Sequence, residues 1–175
     1  MKRNHSEQLR LLTLTGALAA LTAVATLLIR IPTPTKGYIN LGDTVVNLAA
    51  WILGPVYGAA AAGIGSAAAD LIAGYTVYAP VTLVIKALMA AAAFAVYHQL
   101  GRKWQSVWAR IASAIISEVI MILGYAVFEA IFYGSLATGL LSISGNLVQG
   151  IFGAAASVVL YEGLLRHVPG LIKRG

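Results

Sequence analysis

The chain has 175 residues, of which 59% are hydrophobic and 10% charged, where an ordinary soluble domain carries about 25% charged residues. A soluble domain of this size leaves about a third of its unfolded surface exposed. It cannot hide that much apolar area, and a mean hydropathy of +0.84 excludes a soluble enzyme and a disordered regulator. A net charge of +6 would suggest nucleic acid in a soluble chain; in a membrane chain it acts through its placement, and no nucleic-acid partner is expected. Cysteine is absent, which excludes disulfides and thiolate metal sites. At about 20 residues per span, six spans use roughly 120 positions and leave tails and loops but no second domain. The expected fold class is all-α integral membrane: a bundle of six transmembrane helices forming one domain over residues 1–175.

In chain order, a polar head (residues 1–8) precedes an apolar run over 9–29. That run is longer than a signal h-region and has no A-x-A exit, so it is expected to remain as a span. The segment IPTPTKGYIN (31–40) is a loop, because two prolines and a glycine cannot continue a helix. Residues 41–53 form a short apolar helix, Gly54–Pro55 break it, and 56–73 form a small-residue helix. GYTVYA (74–79) is an aromatic loop, and Pro80 suits the first turn of the next helix. Spans four, five and six are expected over 81–97, 108–133 and 143–165, joined by a basic loop (98–107) and a Gly/Ser loop (134–142). A basic tail (166–175) follows.

Six spans put both termini on one side. That side carries nine basic residues: Lys2, Arg3, Arg10, Arg102, Lys103, Arg110, Arg166, Lys173 and Arg174. The other carries two, Arg30 and Lys36. Basic residues in short loops stay in the cytoplasm, so both termini are expected inside a prokaryotic cell membrane, with loops 31–40, 74–80 and 134–142 outside. Trp104 and Trp108 then read as interfacial anchors on the inner side. His5, His98 and His167 fall in inner polar segments, which argues against a histidine-based metal or catalytic site.

An ionisable group in a span costs at least a few kcal/mol and needs a partner or a purpose. Asp43, Asp70, Lys86, Glu118 and Glu129 are such groups. Counted at about 1.5 Å per residue from the loops, they sit in the outer half or near the middle, as do Asn146 and Gln149. Glu118, Tyr125 and Glu129 share one helical stripe, and Asp43 and Asn47 share another. These stripes are expected to meet in a polar cavity opening outward, with Asn40, Tyr38, Tyr75 and Tyr78 at its mouth. The structural alternative is an ion-pair network, for example Lys86 with Glu118 or Asp70. Against it, four carboxylates face one lysine, so the acids exceed any internal partner. The tyrosines either mark the membrane interface or stack on a planar ligand.

Small residues recur at spacing four: Ala19 and Ala23, with Gly16 and Ala20 beside them, on span one, and Gly54/Gly58, Ala61/Gly65 and Gly150/Ala154 elsewhere. Such faces let helices approach closely. Spans three and six are expected to use them internally, and span one to offer its face to an external partner. No H-E-x-x-H, G-x-S-x-G or P-loop is present. No enzyme activity, cofactor or metal is expected, and any ATP-driven step needs another subunit. A stand-alone proton- or ion-coupled carrier relaying through Glu118 and Lys86 is the competing reading.

The runs GYINLGD (37–43), LGPVYG (53–58), GIGSAAAD (63–70) and YAPVTLVIK (78–86) resemble the substrate-binding S components of energy-coupling factor (ECF) transporters, in the riboflavin, hydroxymethylpyrimidine and pyridoxine branch. The resemblance runs from about residue 10 to 165. It implies a transmembrane coupling protein (T component) and two cytoplasmic ATPases as partners. It implies a vitamin bound near the outer face, and release inward by toppling in the membrane. It further implies that an Ala-x-x-x-Ala surface on the first span, matched by Ala19 and Ala23, docks on the coupling helices. The acid-rich, tyrosine-lined mouth favours hydroxymethylpyrimidine or pyridoxine over riboflavin.

Overall fold

A computed structural model of the chain describes residues 5–33, 37–102 and 106–168. The expected topology residues Lys2, Arg3, Lys36, Lys103, Lys173 and Arg174, and the anchor Trp104, lie outside the described residues. Five helices dominate: α1 (His5–Leu28), α2 (Gly42–Ala73), α3 (Ala79–Leu100), α4 (Ser106–Phe132) and α5 (Leu136–Gly163). A two-strand hairpin, β1 (Ile31–Pro32) and β2 (Tyr38–Ile39), lies between α1 and α2, and a 3-10 turn (Leu165–His167) follows α5. The five helices, the last counted through His167, are each long and apolar enough to cross a membrane.

The bundle is polar inside and apolar outside. Asp43, Asp70, Lys86, Arg110, Glu118 and Glu129 are all buried, while Leu28, Val56, Ile72, Ile131 and Val159 are exposed. A solvent of lipid explains that inversion, because apolar side chains lose nothing by facing hydrocarbon and polar groups must be satisfied within the protein. The threonines of α1 show the same economy. Thr13, Thr15, Thr22 and Thr26 each donate to the carbonyl four residues back.

The expected second and third spans are two arms of α2, so five helices of spanning length are found among the described residues rather than six. Gly54 has φ 82° and ψ −173°, a region open essentially to glycine alone. Pro55 starts the second arm, where its missing N–H costs nothing. The chain folds back there: a Cβ on Gly58 would lie 2.8 Å from the carbonyl oxygen of Ala49, whereas a continuous helix would separate those residues by about 13 Å. The first arm, residues 42–53, is roughly 18 Å long, short of the ~30 Å hydrocarbon core. It is nonetheless the most buried part of the chain, with Val46, Ala49 and Ala50 fully enclosed.

Two further boundaries differ from expectation. The Gly/Ser loop closes early: Gly134 turns at positive φ, and the Ser135 hydroxyl caps α5 by accepting from the Thr138 N–H at 3.3 Å. Residues 136–142 are therefore helical, since Gly and Ser are tolerated in membrane helices when they pack. The loop 31–40 contains the short hairpin, with Ile31 opposite Ile39.

Glycine close approaches fix the packing. A Cβ on Gly65 would sit 2.3 Å from the Ala19 carbonyl oxygen, on Gly63 2.7 Å from that of Leu83, and on Gly139 2.4 Å from that of Ala126. These three contacts seat α1 on α2, α2 on α3, and α4 on α5. The loops at the C-terminal ends of α1 and α4 share one face of the bundle with the α2–α3 turn. His5 and Leu165–His167 therefore lie at the opposite face.

Candidate functional site

A cavity of about 530 Å³, counting its open mouth, occupies the end of the bundle next to the hairpin and the α2–α3 turn. Every helix contributes to it. Thr26 comes from α1, Ser66 and Asp70 from the second arm of α2, Thr82 and Lys86 from α3, Tyr125 and Glu129 from α4, and Ser142, Asn146 and Gln149 from α5.

The mouth is aromatic. Tyr38 and Tyr75 rings lie 4.6 Å apart, tilted by 48°, and Tyr75 meets Tyr78 edge-on at 6.3 Å. Tyr78 in turn packs on Phe128 at 5.4 Å. Gly74 makes this possible by ending α2 in the left-handed region at φ 84°, which turns the chain so that Tyr75 meets both Tyr38 and Tyr78. The Tyr38 hydroxyl donates to Asp70 Oδ1 at 2.6 Å, and the Tyr78 hydroxyl reaches Glu129 Oε1 at 3.4 Å. Burial first, and the Asp70 carboxylate second, push the Tyr38 phenol above its ordinary range. Burial and the neighbouring Tyr133 and Glu129 do the same to Tyr78. Both phenols stay protonated donors at physiological pH.

The floor is built around Gln149. Its Oε1 accepts from the Asn40 backbone N–H at 2.9 Å and from Asn40 Nδ2 at 3.1 Å. Its Nε2 donates to Asp43 Oδ2 at 2.6 Å. Asp43 Oδ1 accepts from the Lys86 ammonium, which lies 5.6 Å from the Tyr125 ring centroid. Asn40 also holds the start of α2, its Oδ1 accepting the Gly42 N–H at 2.8 Å. One amide thus ties the hairpin exit, α2 and α3 to α5.

Ten of the thirteen expected binding residues line this cavity: Tyr38, Asn40, Asp70, Tyr75, Tyr78 and Lys86 from the first half of the chain, and Tyr125, Glu129, Asn146 and Gln149 from the second. Asp43, Asn47 and Glu118 are not among the lining residues. Asp43 supports Lys86 from behind, and Asn47 Nδ2 donates to Glu118 Oε1 at 3.0 Å. The ion pair of Lys86 is with Asp43, and neither Glu118 nor Asp70 takes the expected place. Helix depth was readable from residue counting, but the rotation that brings Asp43 rather than Glu118 against Lys86 depends on the fold-back at Gly54. The cavity also uses Thr26, Thr33, Gly37, Ser66, Thr82 and Ser142. Their signal is faint, because hydroxyls such as those of Thr26 and Ser142 satisfy themselves on their own helix. Thr82 instead shares a 2.9 Å hydrogen bond with the Tyr125 hydroxyl, and Ser66 Oγ has no hydrogen-bond partner among the described residues.

Below the floor the polar seam continues on the first arm of α2. Asp43, Asn47 and Trp51 fall at spacing four and point along one stripe. Trp51 Nε1 donates to Ser113 Oγ at 3.0 Å, and its ring meets Tyr161 edge-on at 5.6 Å. Arg110, expected as a loop-side topology residue, is instead buried. Its guanidinium pairs with Glu162, donates to the Tyr97 hydroxyl at 2.9 Å and lies 3.7 Å from the Tyr161 ring centroid.

On α1, Ala19 and Ala23 are half-buried, Ala19 against the Gly65 backbone, while Gly16 and Ala20 are exposed on the adjoining face.

Comparison with known proteins places this architecture. A protein of Pyrococcus woesei described as "Uncharacterized protein in gap 3'region" is 35% identical over 132 residues, 74% of this chain and 84% of that protein. A solved structure, described as "Structure and mechanism of the S component of a bacterial ECF transporter", superposes with a TM-score of 0.68 at 20% identity. It covers 91% of this chain and 97% of its own, and so shows the same fold. The family model "ECF-type riboflavin transporter, S component" matches residues 7–166, and the chain accordingly belongs to the S component family of ECF transporters.

Proposed function

We propose that this chain captures a water-soluble heteroaromatic vitamin or vitamin precursor for ATP-driven import, with a T component and two cytoplasmic ATPases as partners. The observation that carries this reading is the tyrosine-mouthed, acid-walled cavity at one end of a membrane bundle that contains no nucleotide-binding motif. Tyrosine faces accept planar rings, and polar side chains from all five helices converge on the walls. Hydroxymethylpyrimidine or pyridoxine fits the carboxylates and the lysine; riboflavin, named in the family description, is the alternative. The positive-inside bias supports an outward-facing mouth and cytoplasmic termini in a prokaryotic cell membrane. The exposed small residues Gly16 and Ala20, with Ala19 and Ala23 beside them, supply the face on which coupling helices dock.

The test is mass spectrometry of the small molecule that co-purifies with the chain, joined to uptake measured with and without the coupling module. A vitamin in the extract and uptake that needs the ATPases is the expected result. Uptake that persists without ATPases and collapses with the proton gradient would overturn it in favour of a stand-alone carrier.

A further inference from the structure

Beneath the cavity floor, two carboxyl groups compete for one ammonium. Asp43 on the first arm of α2 and Glu118 on α4 are 0% and 4% exposed, and neither lines the cavity. They meet against two glycines of α5. A Cβ on Gly153 would lie 2.8 Å from Asp43 Cβ and 3.1 Å from Glu118 Oε1, and one on Gly150 would lie 3.4 Å from Glu118 Oε2. The two carboxyl groups are within hydrogen-bond reach of each other. Both Asp43 oxygens already accept, Oδ1 from Lys86 and Oδ2 from Gln149. Glu118 Oε1 accepts from Asn47 at 3.0 Å, while Oε2 is buried with no donor among the described residues.

Charge makes that contact decisive. Lys86 pairs with Asp43, so an ionised Glu118 adds an unbalanced negative charge inside the bundle. The groups that face it are Asp43 and Asn47 from α2, Lys86 from α3 and bare glycine backbone from α5, while α1 does not touch α4. Cations toward either end are too distant or already paired. Arg110 lies eight residues away on α4, about 12 Å, and is spent on Glu162. The hairpin abuts Glu129 through Gly37, eleven residues and about 16 Å from Glu118, beyond the reach of a hairpin side chain. A lone carboxylate at such depth is expensive, and two carboxylates in contact do not both ionise. A carboxylic acid removes both difficulties. Its O–H is a donor, and each Asp43 oxygen keeps a second lone pair to accept it.

We propose that the floor binds one proton: Glu118 is a neutral acid that donates to Asp43, so that Asp43 holds Lys86 toward the cavity instead of sharing it with a second carboxylate. Glu118 is thus a positioning residue for the lysine in the cavity wall. The proton is resident and not relayed, since Glu118 has no share in that wall. The inference goes beyond vitamin capture and holds whichever solute the cavity takes.

The test uses the full, ligand-free chain in lipid nanodiscs, labelled with carbon-13 glutamate, and infrared spectroscopy at neutral pH. A carboxylic C=O band that shifts with the label and is lost in Glu118→Gln is expected. Melting temperature against pH is the second readout. An unfolded glutamate ionises at about pH 4.3, so a folded chain that keeps the proton loses stability as pH rises above that value. Glu118→Gln and Glu118→Met lack that loss, so the Tm of whichever folds climbs relative to the wild type between about pH 4 and pH 8. A wild-type spectrum without the band, or a band that Glu118→Gln leaves in place, overturns the proposal. A Tm difference that does not change with pH also overturns it, because a merely structural residue behaves that way. Stabilisation by sodium chloride over potassium chloride, with the band absent, gives the site to a metal cation and overturns it too. So does failure of both variants to fold, since a neutral acid is replaceable by a neutral amide. None of these outcomes bears on vitamin capture, which the co-purification and uptake measurements decide separately.

Discussion

At the residue scale, the floor of the pocket is a buried ion pair with one amide holding it in place. Removing one partner of such a pair leaves the other charge uncompensated, at about 3–5 kcal/mol. Asp43→Ala is therefore expected to lower the melting temperature in detergent sharply, and Asp43→Asn combined with Lys86→Met to recover much of the loss. A double variant no more stable than the single one would contradict this. Tyr38 carries a pH prediction. Its phenol is held above the ordinary value near 10 by burial and by Asp70. Above that pH the unfolded chain releases a proton that the folded chain keeps, so stability is full below about pH 10 and falls as pH rises beyond it. Tyr38→Phe loses one hydrogen bond but flattens that alkaline decline, measurable as Tm against pH. The acids, the lysine and the tyrosines were legible because ionisable and aromatic side chains in apolar runs demand an explanation. Ser66 and Thr82 were not, since a hydroxyl in a membrane helix is commonplace.

At the element scale, the fold turns on a few glycines. Gly54 occupies a backbone region that costs other residues about 1–3 kcal/mol, so Gly54→Ala is expected to destabilise by that amount, read as a Tm drop with the oligomeric state unchanged. Gly65→Val places a methyl-bearing carbon where Ala19's carbonyl sits. It is expected to push α1 off α2 and to make α1 accessible to protease. The breaks at Gly54–Pro55 and Gly74 could be read from sequence, because proline and glycine act locally. The fold-back angle at Gly54 could not, and neither could the early start of α5, where capping by Ser135 competes with the loop character of Gly and Ser. The β1–β2 pairing is two residues long, too short for any periodicity to announce.

At the scale of the whole molecule, the bundle shows which end is which without saying where each end faces. The cavity mouth and the α2–α3 turn share one face, and the start of α1 and end of α5 share the other. The natural absence of cysteine makes this testable. Thr76→Cys in intact cells is expected to react with a membrane-impermeant maleimide, whereas Ser106→Cys reacts only after permeabilisation. The reverse pattern would invert the proposed orientation. Membrane insertion was plain from composition, and relative depth from counting. Helix azimuth, and with it the true partner of Lys86, depends on tertiary packing that no single stretch encodes.

The seam beneath the cavity bears on how a solute could travel. From Gln149 to the Arg110–Glu162 pair, the middle of the bundle is filled by interlocked polar and aromatic side chains. A straight passage would have to strip Arg110 of its carboxylate, pull Trp51 from Ser113 and part Asn47 from Glu118. On the proposed reading the vestibule is a cul-de-sac, and a captured solute departs through the door by which it came.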